Sequence, residues 1–120
     1  MHTLTLLILL AAPELRLTPE QAKNHIGKTA TVCGTVTSAR YAEKAKGQPT
    51  FLNLGKPFPR HAFTIVIWGQ DRAKFDSPER SLMQRRTCVK GKITEFRGGP
   101  QISPSDRTDL YLEEVRKEVP

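Results

Sequence analysis

"TATVCGTVTSARYAE", residues 29–43, decides how the rest of the chain is to be read. Ala30, Val32, Gly34 and Val36 fall on one side of a period-two pattern, and Thr29, Thr31, Cys33, Thr35 and Thr37 fall on the other. One apolar side, one hydrated side and β-branched residues throughout predict a long, half-buried strand. Gly34 in its middle predicts a bend or bulge, which a strand needs in order to turn the corner of a small barrel.

Downstream, "KAKGQP" (44–49) reads as a loop and "TFLNLG" (50–55) as a second strand, with Leu52 and Leu54 opposite Phe51 and Asn53. "KPFPRH" (56–61) is a Pro-interrupted connection, and "FTIVIWG" (63–69) is the most strongly β-forming segment of the chain. "DRAKFDSPERSLMQR" (71–85) breaks the alternation. There Ser77-Pro78-Glu79 supplies a cap, a first-turn proline and a first-turn acid, predicting a short helix over 78–85. "RTCVKGKITEF" (86–96) is a fourth strand, with Val89, Gly91 and Ile93 inward and Cys88, Lys90, Lys92 and Thr94 outward. A hairpin turning on Gly98-Gly99-Pro100 leads to a short strand at 101–103, Pro104 stops it, and "DLYLEE" (109–114) adds a final short strand or turn.

Upstream, "LTPEQAKNHIGK" (17–28) opens a short helix. Thr18 caps it, Pro19 suits the first helical position, Gln21 stands at capping-box spacing and Gly27 ends it. The order is therefore strand, strand, strand, short helix, strand, strand, after a short N-terminal helix. That order predicts an all-β, five-stranded Greek-key barrel, the OB-fold, with its helix between strands 3 and 4. A six-stranded small barrel, with 109–113 as a full member, is the competing arrangement.

A chain of 120 residues and 13.5 kDa has room for one core, and residues 18–120 are read as one domain. It carries 19 Lys+Arg against 12 Asp+Glu, with a pI near 9.8. The excess sits in the middle: between Arg40 and Gly99 thirteen basic residues face five acids. A basic surface favours polyanionic partners by steering and counterion release. At the N-terminus, Leu4 to Ala12 is an apolar run of signal length, too short to span a bilayer, and Ala11-Ala12 at its end supply small residues for cleavage. Residues 1–12 are accordingly read as an export leader, although no Lys or Arg precedes the run. A periplasmic or secreted location is expected, with a buried N-terminal strand in a cytoplasmic protein as the alternative. Two cysteines, Cys33 and Cys88, suit one disulfide in an exported chain or two thiols in a cytosolic one.

From about residue 26 to 103 the chain resembles small exported bacterial OB-fold nucleic-acid-binding domains. The residues that carry the resemblance are Ile26-Gly27-Lys28, Thr31–Gly34, Thr50–Pro57, Phe63–Gly69, Asp71–Phe75, Cys88–Ile93 and Arg97–Ile102. The closing hairpin is also similar to the OB modules of exonuclease VII large subunits and of anticodon-binding domains. In such a barrel the first and fourth strands pair antiparallel. The resemblance therefore implies that Cys33 and Cys88, outward on those strands, oppose each other within disulfide reach.

The resemblance also implies a ligand face on the second and third strands, flanked by the first-to-second and fourth-to-fifth loops. It places Phe51, Asn53 and Trp68 on that face, Arg40, Tyr41, Lys44 and Lys46 at one loop, and Arg97 and Gln101 at the other. Lys56 and Lys90 extend the cationic track. Cations spaced along a groove suit a phosphodiester chain, and flat side chains suit unpaired bases. Phe51 is the leading stacking candidate. Gly98 and Gly99 are expected to admit backbone approach to a phosphate or base.

The histidines (His2, His25, His61) are scattered and no C-x-x-C occurs, so neither a metal site nor a cofactor is expected. Acids are not clustered on the strands as a phosphodiesterase would need, so no enzymatic activity is expected. The expected function is non-catalytic binding of single-stranded nucleic acid, DNA ahead of RNA, by a protein with no stable membrane span. An exported module binding a protein or glycan is the alternative. No feature of the chain encodes an oligomeric state.

Overall fold

The computed structural model describes residues 13–113, so the leader expected over 1–12 lies outside the described residues. The strands are β1 (Arg16–Leu17), β2 (Thr29–Tyr41), β3 (Thr50–Leu54), β4 (Phe63–Ile67), β5 (Arg86–Lys92), β6 (Thr94–Phe96), β7 (Gly99–Ile102) and β8 (Leu110–Leu112). A four-residue helix α1 (Pro78–Ser81) stands between β4 and β5, and 3-10 turns cover Pro19–Asn24, Gly69–Lys74 and Arg107–Asp109.

β2 organises the sheet by changing partners along its length. Its first half, residues 29–35, pairs antiparallel with β5; its second half, from Val36 to Tyr41, pairs antiparallel with β3. β1 runs parallel to the first half on the edge that β3 leaves free. The strand order is β6-β7-β4-β3-β2-β5-β8, with β4 and β7 parallel.

Among the described residues the sheet thus has eight strands, not the expected five, and its ladders do not close into a barrel. The segment read as a fourth strand explains the open path. It divides at Ile93, whose N–H donates to Lys28 O (2.9 Å) and whose carbonyl accepts from Gly27 N–H (2.7 Å). β5 before it pairs with β2, and β6 after it pairs with β7. Chain continuity through buried Ile93, not a hydrogen-bond ladder, crosses the gap.

The alternating residues meet in one core: Val32, Val36, Leu52, Leu54, Phe63, Ile65, Ile67, Val89 and Ile102 are fully buried or nearly so. The capping box at Thr18 and Gln21 forms as expected, and the turn it starts buries Pro19 and Ala22 against the sheet. Gly34 has a different purpose from the expected bend. The register shift falls between Val36 and Ser38, whereas a Cβ on Gly34 would lie 2.6 Å from Pro19 Cγ. Glycine is needed there for close approach.

The helix expected over 78–85 is shorter, ending at Ser81, and Ser77 does not cap it. Ser77 lies at φ +47 and its side chain makes no cap hydrogen bond. The segment is held instead by Arg72, which donates to Glu79 Oε1 (2.7 Å) and Oε2 (2.8 Å) and to Thr50 Oγ1 (2.8 Å). A bidentate Arg–carboxylate pair fixes geometry more firmly than a capping hydroxyl does.

Cys33 and Cys88 oppose each other across β2 and β5 and form a disulfide. Both are buried, although they stand on the outward register. Arg16 and Glu113 lie over them: Arg16 Nη2 donates to Cys88 Sγ (3.5 Å), and Glu113 pairs with Arg86 (2.8 Å) and Arg16 (3.7 Å). A disulfide accords with a non-cytoplasmic location. Among the described residues no helix is long and apolar enough to cross a membrane.

Candidate nucleic-acid interface

The outward side of the sheet carries one continuous polar row. Register places Ser38, Asn53, Thr64, Gln101 and Thr94 side by side across β2, β3, β4, β7 and β6. Asn53 Nδ2 donates to Ser38 Oγ (3.0 Å), and Thr64 Oγ1 donates to Asn53 Oδ1 (3.0 Å). Ser38 Oγ also accepts from Phe58 N–H (3.1 Å), tying the β3–β4 connection onto this row. Asn53 is 7% exposed, so its amide staples strands together and is not free to read a base. The next row is Arg40, Phe51 and Val66. Arg40 is exposed there, but Phe51 is only half-exposed and Val66 is buried, so this row offers no broad aromatic platform.

The aromatic surface lies at the two ends of the face. At one end, the β2–β3 loop presents exposed Lys44 and Lys46, and Trp68 stands beside it, 40% exposed. Tyr41 is half-buried there beneath Arg72, whose guanidinium carbon is 3.6 Å from the ring centroid. That arginine is already committed to Glu79. Tyr41 is therefore packed as part of the scaffold.

At the other end, the β3–β4 connection and the β6–β7 hairpin come together. Gln101 pairs with Thr64 in the parallel ladder, so the hairpin residues before it run out alongside the segment leading into β4. Phe58 in the connection is 69% exposed and Phe96 at the hairpin 62%. Phe58 stacks on His61 with ring centroids 5.6 Å apart, and the Arg97 guanidinium stands 5.3 Å from the Phe96 centroid. Burial lowers the His61 pKa, so the imidazole is neutral at neutral pH. Lys56 and Arg60 are exposed on the same connection.

The hairpin turns differently from the sequence reading. Phe96 pairs with Gly99, which leaves Arg97 and Gly98 as a two-residue turn at φ +51 and +81. Gly99 and Pro100 belong to β7. Both turn residues have positive φ, as a twisted two-residue hairpin requires, and Arg97 occupies a position that glycine, asparagine or aspartate fills more easily.

The structure therefore gathers Arg40, Phe51, Asn53 and Gln101 on the outward face, Tyr41, Lys44, Lys46 and Trp68 at one end, and Lys56 and Arg97 at the other. It separates Lys90 from them: Lys90 is exposed on β5, beside Thr31 in the first half of β2. Phe58, Arg60, His61 and Phe96 were not singled out from sequence. Their signals were present, since Phe58 is bracketed by Pro57 and Pro59 and Phe96 adjoins the turn arginine. The donor atoms of Cys33, Cys88 and Glu113 lie within 4.8 Å of one another, but both sulfurs are taken up by the disulfide.

Solved structures with the same arrangement of chain decide the fold. One OBody bound to hen egg-white lysozyme has a TM-score of 0.59 at 15% identity, covering 88% of this chain and 100% of its own. A second, also bound to lysozyme, has a TM-score of 0.58 at 14% identity, covering 86% and 96%. The fold is OB-like. A protein described as an aspartyl-tRNA synthetase from Leishmania major Friedlin has a TM-score of 0.58 at 10% identity over 94% of this chain, which spans 24% of that longer one. Identities this low speak to fold alone. No protein-family model matches the chain, and no curated protein is significantly similar to it in sequence.

Proposed function

We propose that this chain is a non-catalytic OB module that binds single-stranded nucleic acid outside the cytoplasm of a bacterium. The observation that carries the reading is the exposure of Phe58 and Phe96, the two most exposed large apolar side chains among the described residues, at the same end of a face rich in cations. Isolated exposed apolar residues are ordinary, but two at one end of the sheet with Lys56, Arg60 and Arg97 supply both halves of single-strand recognition. Bases stack on the rings, and phosphates meet the cations. The polar row between the ends gives hydroxyls and amides to the sugar-phosphate chain. An OB-like domain forming part of an aspartyl-tRNA synthetase supports the same ligand class. DNA is placed ahead of RNA because the 2′-hydroxyl makes RNA the shorter-lived polymer outside a cell.

A second reading takes the same surface as a site for a protein or glycan. It is favoured by the OBody structures, in which a fold of this kind holds lysozyme. A salt titration separates the two. Fluorescence anisotropy of labelled oligo-dT should show binding that weakens with salt, with a log–log slope of about −0.7 for each phosphate contacted. Absence of binding at low salt would overturn the nucleic-acid reading and favour the protein or glycan.

A further inference from the structure

The depression beside Trp68 differs in chemistry from the rest of the face. It is an open recess of about 570 Å³ lined by Gly47, Gln48, Trp68, Gly69 and Gln70, with no charged side chain among them. Two segments build it, and each is locked to the other. Gly69 N–H donates to Gly47 O (2.9 Å). A Cβ on Gly47 would lie 3.1 Å from Trp68 Cε3, and one on Gly69 would lie 2.9 Å from Gln48 Cβ and from Gly47 O. The two glycines are thus required for the indole and the Gln48 side chain to sit this close to the backbone. Gln48 itself is held at φ +46, in the region non-glycine residues avoid, which fixes where its amide starts.

Resting on the nucleic-acid reading above, we infer that this recess accepts one base of the bound strand and selects among bases. A flat ring meets the indole, while two carboxamides, each offering donor and acceptor, suit a flat edge that presents both. Adenine, with an adjacent amino donor and ring acceptor, is the base that a glutamine amide matches in bidentate fashion. A neutral wall excludes the phosphate from the recess itself. Lys44 and Lys46 are exposed on the loop just before Gly47 and are available to the phosphates flanking a seated base. A neutral sugar would have no use for those lysines. Gln48 and Gln70 are thereby specificity-determining residues, and affinity for the strand as a whole comes from the other end of the face.

The test uses labelled dT8 and three relatives carrying one central dA, dC or dG, with the wild-type protein and the variants Gln48→Leu and Gln70→Leu. Both glutamines are exposed, so the substitutions leave the fold intact, and a thermal melt confirms it. Adenine should tighten binding by about tenfold over the other bases, and either variant should bring the affinities for the four strands to within about twofold of one another. If the wild type binds all four strands equally, the recess does not select and the inference fails while the binding function stands. An adenine preference that survives both variants overturns it as well. If the wild type binds no strand, the functional reading falls and the recess loses its ligand with it.

Discussion

Cys33 and Cys88 stand directly opposite each other on β2 and β5, their Cα atoms 4.1 Å apart and their sulfurs joined. The link closes a sequence separation of 55 residues that contains β3, β4 and α1. In the chain-entropy account, closing a loop of that length removes enough disorder from the unfolded chain to stabilise the fold by about 4 kcal/mol. Denaturant unfolding with and without reductant should differ by up to that amount. Equal midpoints would show that the link contributes nothing to stability.

The approach of Pro19 to Gly34 makes a second prediction. Pro19 is buried and its ring is stiff, so it cannot give way to a new Cβ only 2.6 Å from Cγ. Gly34→Ala should destabilise by about 1–3 kcal/mol, the ordinary cost of overpacking. By contrast, Gly98→Ala meets no atom within 4 Å, and its cost comes from φ +81 alone. A Gly34→Ala protein as stable as the wild type would mean that the N-terminal turn is not seated as described.

Acid should loosen the segment between β4 and β5. Hydrogen bonds from Arg72 hold the Glu79 carboxyl below its ordinary range. A carboxyl whose pKa is depressed on folding contributes stability that is present above its unfolded value and is lost as pH falls through the folded one. Glu79→Gln should therefore lower stability at neutral pH and flatten the decline below the usual carboxylate range. Unfolding curves at pH 7 and pH 3 measure both effects, and an unchanged acid limb in the variant would contradict the assignment.

Much of the fold was legible because period-two alternation is strong in this chain. The inward set Val32, Val36, Leu52, Leu54 and Val89 follows from alternation, and Thr18 with Gln21 announced the N-terminal turn. What could not be read depends on contacts distant in sequence. Arg16 and Leu17 form a strand only because β2 leaves an edge open there. Ile93 divides a segment whose pattern runs on without interruption, since its backbone partners are Gly27 and Lys28. For the candidate site, the outward placement of the strand residues was legible and their contacts were not. Alternation shows that Phe51 and Asn53 face outward, but not that Asn53 is stapled between Ser38 and Thr64. An exposed ring on an irregular connection, such as Phe58, carries no periodic signal at all, and Phe96 lies beyond the break at Ile93.

The claim at the centre is that the end of the sheet bearing Phe58, Phe96 and Arg97 holds the single strand. It is tested by the affinity of dT12 for Phe58→Ala, Phe96→Ala and Arg97→Ala, with Lys90→Ala as the control. Each ring variant should lose about 1–3 kcal/mol, roughly 5- to 150-fold, and Arg97→Ala should also flatten the salt dependence, while Lys90→Ala stays near wild type. Wild-type affinity in all three, or a loss confined to Lys90→Ala, would contradict the account.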